Sequence, residues 1–127
     1  MTDLKLISMA ADAMQNSYSP YSHFKVGAAL LDTDGNVYTG ANIENGAYPA
    51  TVCAERTAFF KAVSEGQRKF TKIAIVGGDI NKPCYPCGVC RQVMSEFCNE
   101  DFEILTLKDG EIIKNTLGEL LPHSFKL

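Results

Sequence analysis

Two short stretches hold side chains that could do chemistry together. In "TVCAERTAF" Cys53, Glu55 and Arg56 fall within four positions, and in "KPCYPCGVCRQ" Cys84, Cys87 and Cys90 recur at every third position. The second stretch spells P-C-x-x-C in two overlapping frames, Pro83 to Cys87 and Pro86 to Cys90. Cysteines three apart at the start of a helix lie on one face and point back toward its N-terminus, so two thiolates can share one ion. The unpaired N–H groups and positive dipole end there favour the thiolate that a metal requires. If the helix starts at Cys87, Pro86 stands at the favoured entry and "GVCRQVMSEF" continues without a breaker, which selects Cys87 and Cys90. Cys84 is then a loop thiol near the site.

Two sulfurs do not hold zinc alone, and Cys53, at another expected helix start, supplies a third. Three sulfurs leave a fourth position open to water, the pattern of a catalytic zinc; a structural zinc would close with a fourth protein ligand, for which Cys84 is the candidate. Cys98 lies about two turns beyond Cys90, too far to reach. Glu55 favours the open site. In a first turn its carboxylate can reach the space beyond the helix end, accept a proton from water there and pass it to a substrate atom. His23 and His123 fit no ligand spacing.

These groups need elements to hold them. Asp3 is expected to cap a helix with apolar residues Leu6, Ile7, Ala10, Ala13 and Met14 at helical spacing. "FKVGAALLD" and "NVYTGAN" are strands around the Asp34-Gly35 turn, and "CAERTAFFKAVSEG" is a helix stopped by Gly66. "KIAIVGG" is a continuous apolar strand of the kind buried on both faces. A loop over 78–86 leads to the cysteine helix, then to strands "FEILTL" and "EIIKN" around Asp109-Gly110 and a short helix "TLGELL". The order α-β-β-α-β-α-β-β points to an α/β fold, a three-layer α/β/α sandwich around a mixed five-stranded sheet whose antiparallel part is the first hairpin. Both cysteine helices follow loops at strand ends, where open α/β sheets place ligands.

With 127 residues, 46% hydrophobic, the chain has the size of one domain spanning 1–127. Its net charge of -3, with scattered basic residues, offers no polyanion surface, so no nucleic-acid partner is expected. The N-terminus lacks the features of a signal peptide and no run approaches a membrane span, so a cytoplasmic protein with no membrane partner is expected. Five cysteines, an odd number, then read as metal chemistry rather than disulfides.

"ATVCAERTAFFKA" with "PCYPCGVCRQVMSEF" resembles the cytidine deaminase family in its short, all-cysteine form, and "SYSPYSHFKVGAAL", "TGANIENGAYPATVCAERTA" and "ELLPHSF" extend the resemblance nearly end to end. It implies one Zn²⁺ per chain on Cys53, Cys87 and Cys90, with Glu55 moving protons in the hydrolytic deamination of cytidine and deoxycytidine to uridine and deoxyuridine, with release of ammonia, in pyrimidine salvage. It further implies ribose binding by Asn42 and Glu44, an aromatic wall for the pyrimidine at Phe24, and backbone orientation of the base by Ala54. Phe125 and Tyr48 would complete neighbouring sites in a homotetramer whose active sites are shared between subunits. Three thiolates leave zinc with a formal charge of about -1, which weakens its pull on water. Arg56 matches the family residue that draws that charge off, and Arg91 would assist it.

Overall fold

A computed structural model describes all of residues 1–127. Helix α1 (Asp3–Met14) leads to strands β1 (Val26–Asp32) and β2 (Val37–Ala41), and a single 3-10 turn (Tyr48–Ala50) precedes helix α2 (Ala54–Ser64). Strand β3 (Phe70–Gly77), helix α3 (Gly88–Phe97), strands β4 (Glu103–Lys108) and β5 (Glu111–Thr116) and the short helix α4 (Leu117–Leu120) complete the chain. The expected elements are present in the expected order. No helix is long and apolar enough to cross a membrane.

The five strands form one sheet in the order β2-β1-β3-β4-β5. Only β3 and β4 pair in parallel; β1 runs antiparallel to both β2 and β3, and β5 antiparallel to β4. The antiparallel part is therefore far more than the first hairpin. The crossover through α2 explains why: β2 and β3 run the same way, as a helical connection requires, but β1 lies between them and faces the other way.

Alternation along the strands divides the core into two layers. Ala29, Leu31, Ala74, Val76 and Leu105 pack against Leu6, Ile7, Ala10 and Met14 of α1. On the other face Ala28, Leu30, Ile73, Ile75 and Ile104 meet α2 and α3. The apolar run of β3 feeds both layers, as its composition predicts. Phe59 of α2, fully buried, lies 5.0 Å from Phe70, 6.0 Å from Phe102 and 6.3 Å from Phe97 of α3, ring centre to ring centre. An aromatic core residue of this kind stabilises a domain by about 3–5 kcal/mol relative to alanine, and here it fixes α2 and α3 against each other.

One detail differs from expectation. The N-cap of α1 is Thr2, whose hydroxyl accepts the Lys5 N–H at 3.1 Å. Asp3, one residue on, forms ion pairs with Lys72 at 2.9 Å and Lys114 at 3.3 Å, tying α1 to the sheet. α2 also lies unusually close to β2. A Cβ on Gly40 would stand 2.5 Å from the Ala54 carbonyl oxygen and 2.6 Å from the Ala58 nitrogen, so only glycine lets the start of α2 rest on the strand.

Candidate metal centre

Cys53 is the N-cap of α2 and Cys87 the N-cap of α3, while Cys90 sits in the first turn of α3. N-cap side chains ordinarily accept a helix N–H. Neither thiol does so; their sulfurs turn toward each other instead. Cys53 Sγ and Cys87 Sγ are 3.8 Å apart, Cys87 Sγ and Cys90 Sγ 3.5 Å apart, and all three sulfurs lie within 4.8 Å of one another. Three thiolates at tetrahedral Zn–S distances would be separated by roughly 3.8 Å, so the trio fits zinc with little movement. The frame beginning at Pro86 is the one used, with the helix proper starting one residue later, at Gly88.

The trio runs from core to surface: Cys90 is buried, Cys53 half-buried and Cys87 exposed. No fourth Cys, His, Asp or Glu side chain joins the three in that cluster, so the residues present would hold a metal through three protein ligands. Cys84 lies outside the trio, half-buried and seated on the Cα of Gly77, and burial pushes its thiol up to about 11. A thiol held neutral in this way is a poor competitor for a metal. Cys98 caps the far end of α3, where burial raises its thiol to about 12.

Electrostatics bias Cys53 toward the thiolate. A hydrogen bond from Cys90 is the largest influence lowering Cys53, and the Arg56 guanidinium adds to it; Cys90 is raised in return. The pair thus shares one negative charge, centred on Cys53. Arg56 Nη2 donates to Cys53 Sγ at 3.4 Å, and its Nε is buried without a partner. Arg91 is neither a surface side chain nor a partner of the sulfurs. It donates to the carbonyls of Pro86 and Leu120, each at 2.7 Å, and so pins the loop before α3 to the end of α4.

Glu55, second residue of α2, is 4% exposed beside the trio. Burial, helped by the Cys53 charge and opposed by its own N–H, pushes its carboxyl up to about 7. A carboxyl near neutrality can both take and return a proton at neutral pH. Ala54, fully buried, precedes it at the first helical position.

The remaining sequence candidates fall in the segments leading to this centre. Ile43 and Val52 exchange backbone hydrogen bonds at 3.0 Å, which ties the Asn42–Glu44 segment to the residue before Cys53. Asn42 is already engaged: its Oδ1 accepts from the Ser17 hydroxyl and the Val26 N–H, and its Nδ2 donates to the Phe24 carbonyl. Glu44 accepts the N–H groups of Tyr21 and Ser22 at 3.0 and 3.1 Å, and the Ser22 hydroxyl as well. Phe24 is 47% exposed, which sets aside a core role for it; its ring edge lies over Gly78 at the end of β3. Tyr48 stands 82% exposed beside Glu44, where the two help line a cavity of about 310 Å³. Phe125, in the tail, is 65% exposed. Sequence reasoning missed Ser17 and Ser22; "SYSPYS" reads only as a loop, and their partners lie more than twenty positions away. The largest cavity, about 560 Å³, opens between the beginnings of β3 and β4 and shares no residue with the centre.

The fold and the sulfur trio together define an α/β/α protein with a cysteine-built zinc site at paired helix starts. The chain belongs to the family described as the cytidine and deoxycytidylate deaminase zinc-binding region, whose model matches residues 1–106. It is 53% identical over 122 residues to a cytidine deaminase of Sporosarcina psychrophila, covering 95% of this chain and 89% of that one. The crystal structure of cytidine deaminase from Burkholderia pseudomallei superimposes with a TM-score of 0.92 at 45% identity, covering 98% of this chain and all of the other. A Blasticidin-S deaminase of Bacillus cereus is more distant, 32% identical over 130 residues, covering 97% of this chain and 91% of its own.

Proposed function

We propose that residues 1–127 form one catalytic domain that deaminates cytidine and deoxycytidine hydrolytically, giving uridine or deoxyuridine and ammonia, in pyrimidine salvage. The observation that carries this is the buried Glu55 carboxyl beside three convergent sulfurs. Zn²⁺ held by Cys53, Cys87 and Cys90, one per chain, would supply an activated water for attack at C4. Glu55 would take a proton from that water and place it on N3, then carry the water's second proton, from the hydroxyl added at C4, to the departing amino nitrogen, which leaves the water oxygen as the C4 carbonyl. Arg56 offsets the excess negative charge of the thiolates through Cys53.

Asn42 and Glu44 bind the ribose. Asn42 keeps one Nδ2 hydrogen beyond its internal bonds, and the Glu44 carboxylate has lone pairs to spare. Phe24 forms one wall for the pyrimidine and the Ala54 backbone faces the base. Tyr48 and Phe125, exposed in the single chain, become useful if each reaches a neighbour's site, which supports a homotetramer with shared sites. Five free thiols suit a reducing, cytoplasmic compartment. A net charge of -3 favours a small nucleoside over a polynucleotide.

The test is to purify the protein with its zinc and follow the ultraviolet change of cytidine, deoxycytidine, blasticidin S and a cytosine-containing single strand in parallel. Turnover of the two nucleosides is expected. Turnover of blasticidin S or the strand, without the nucleosides, would overturn the reading.

A further inference from the structure

We propose that Ser22 is a positioning residue for the sugar of the substrate, holding the Glu44 carboxylate in the orientation that meets a ribose hydroxyl. This rests on the ribose-binding role of Glu44 proposed above. The Ser22 hydroxyl donates to Glu44 Oε2, while Oε1 takes the N–H groups of Tyr21 and Ser22 at 3.0 and 3.1 Å. Three donors from one turn thus engage both oxygens. A free glutamate on an exposed segment would sample several rotamers, and a sugar contact would have to meet the cost of ordering it. Here that ordering is built in before substrate arrives.

The same hydroxyl accepts the Phe24 N–H at 3.0 Å. Ser22 therefore links the proposed sugar contact to the residue that walls the base, and the cavity lined by Tyr21, Ser22, Glu44 and Tyr48 opens beside them. The Ser22 hydroxyl bond is also the largest influence holding the Glu44 carboxyl below its ordinary range, followed by the Ser22 N–H. Glu44 is kept charged and purely accepting, which suits a sugar O–H donor.

Because Ser22 also touches the Phe24 backbone, a loss of binding alone would not show which partner matters. Substrate truncation separates them. Ser22→Ala, Ser22→Thr and Glu44→Ala are made as zinc-loaded proteins, zinc content and melting temperature are measured, and steady-state kinetics are compared for cytidine and 2′,3′-dideoxycytidine. Ser22→Ala is expected to raise KM for cytidine roughly five- to tenfold with kcat within about twofold, the range for losing one ordinary hydrogen bond on an exposed segment. For the dideoxy substrate, which offers no such hydroxyl, its kcat/KM should match wild type. Ser22→Thr keeps the hydroxyl and should restore the cytidine KM. An equal loss on both substrates, or no loss on cytidine, overturns the proposal. If Glu44→Ala also fails to discriminate between the substrates, the sugar role of Glu44 falls with it; if Glu44→Ala discriminates and Ser22→Ala does not, only the positioning role of Ser22 falls.

Discussion

Arg56 Nη2 lies 3.4 Å from Cys53 Sγ, one helical turn back along α2. The guanidinium spends its charge on a sulfur rather than on a carboxylate, at the point where three thiolates converge. Replacing it should leave the metal in place but poorly tuned. Arg56→Gln is expected to retain zinc by elemental analysis while kcat/KM for cytidine falls about 10- to 100-fold, the usual range for groups that tune a metal through its ligands.

Glu55 is buried next to the trio and is the group proposed to carry protons. Glu55→Gln preserves shape and removes the proton acceptor. Zinc content should stay at the wild-type level, and turnover should drop by about 10²- to 10⁴-fold. Turnover near the wild-type rate would remove Glu55 from the mechanism.

The five cysteines should separate into two groups. Cys87→Ala removes one of three converging sulfurs and should abolish stable zinc binding and activity together. Cys84→Ser and Cys98→Ser should each keep one zinc per chain, since neither sulfur belongs to the trio. Loss of zinc from Cys84→Ser would mark Cys84 as a fourth ligand.

Asp32, 1% exposed at the end of β1, accepts the N–H groups of Asp34 and Asn36 and the Gln67 side-chain amide, each at 2.8 Å. Burial alone would raise its carboxyl; the Gln67, Asn36 and Asp34 donors together outweigh that and hold it below its ordinary value of 3.8. A carboxyl depressed on folding adds stability that is fully present above its unfolded value and is lost as pH falls through the lower folded one. Asp32→Asn should therefore cost about 2 kcal/mol at pH 7, seen as a lower melting temperature of the zinc-loaded protein. The gap should close as pH is taken below 3.8, compared between the two proteins both freed of zinc, because protonation of the thiolates releases the metal at that pH.

Gly40 lets the start of α2, and with it Cys53 and Glu55, rest on β2. Gly40→Ala forces the helix outward against backbone atoms that cannot yield. The expected cost is about 1–3 kcal/mol of stability, together with weaker zinc binding in a chelator competition.

Much of this centre is legible in the chain because its signals are local. Pro86 before Cys87 marks a helix start, Gly66 a helix end that the structure realises at φ 101°, and the three-residue step from Cys87 to Cys90 places two sulfurs on one face. What escapes is set by partners distant in sequence. Asp3 reads as a cap because nothing nearby announces Lys72 or Lys114. The antiparallel pairing of β1 with β3 depends on which edge of β1 the α2 crossover reaches, and no spacing records that. Ser17 and Ser22 gain meaning only when the segment after β2, carrying Asn42 and Glu44, folds back beside them.

Cys53 and Cys87 are separated by 34 positions that include all of β3. An ion gripping both is a clasp that closes this part of the chain into a ring, and the unfolded chain holds such an ion far less well. A ligand that binds only the folded form at a thousand times its Kd adds about 4 kcal/mol, a large share of a small domain's entire stability. The endurance of this protein should thereby follow the metal supply around it, a chain made in scarcity being cleared by proteases sooner than a loaded one.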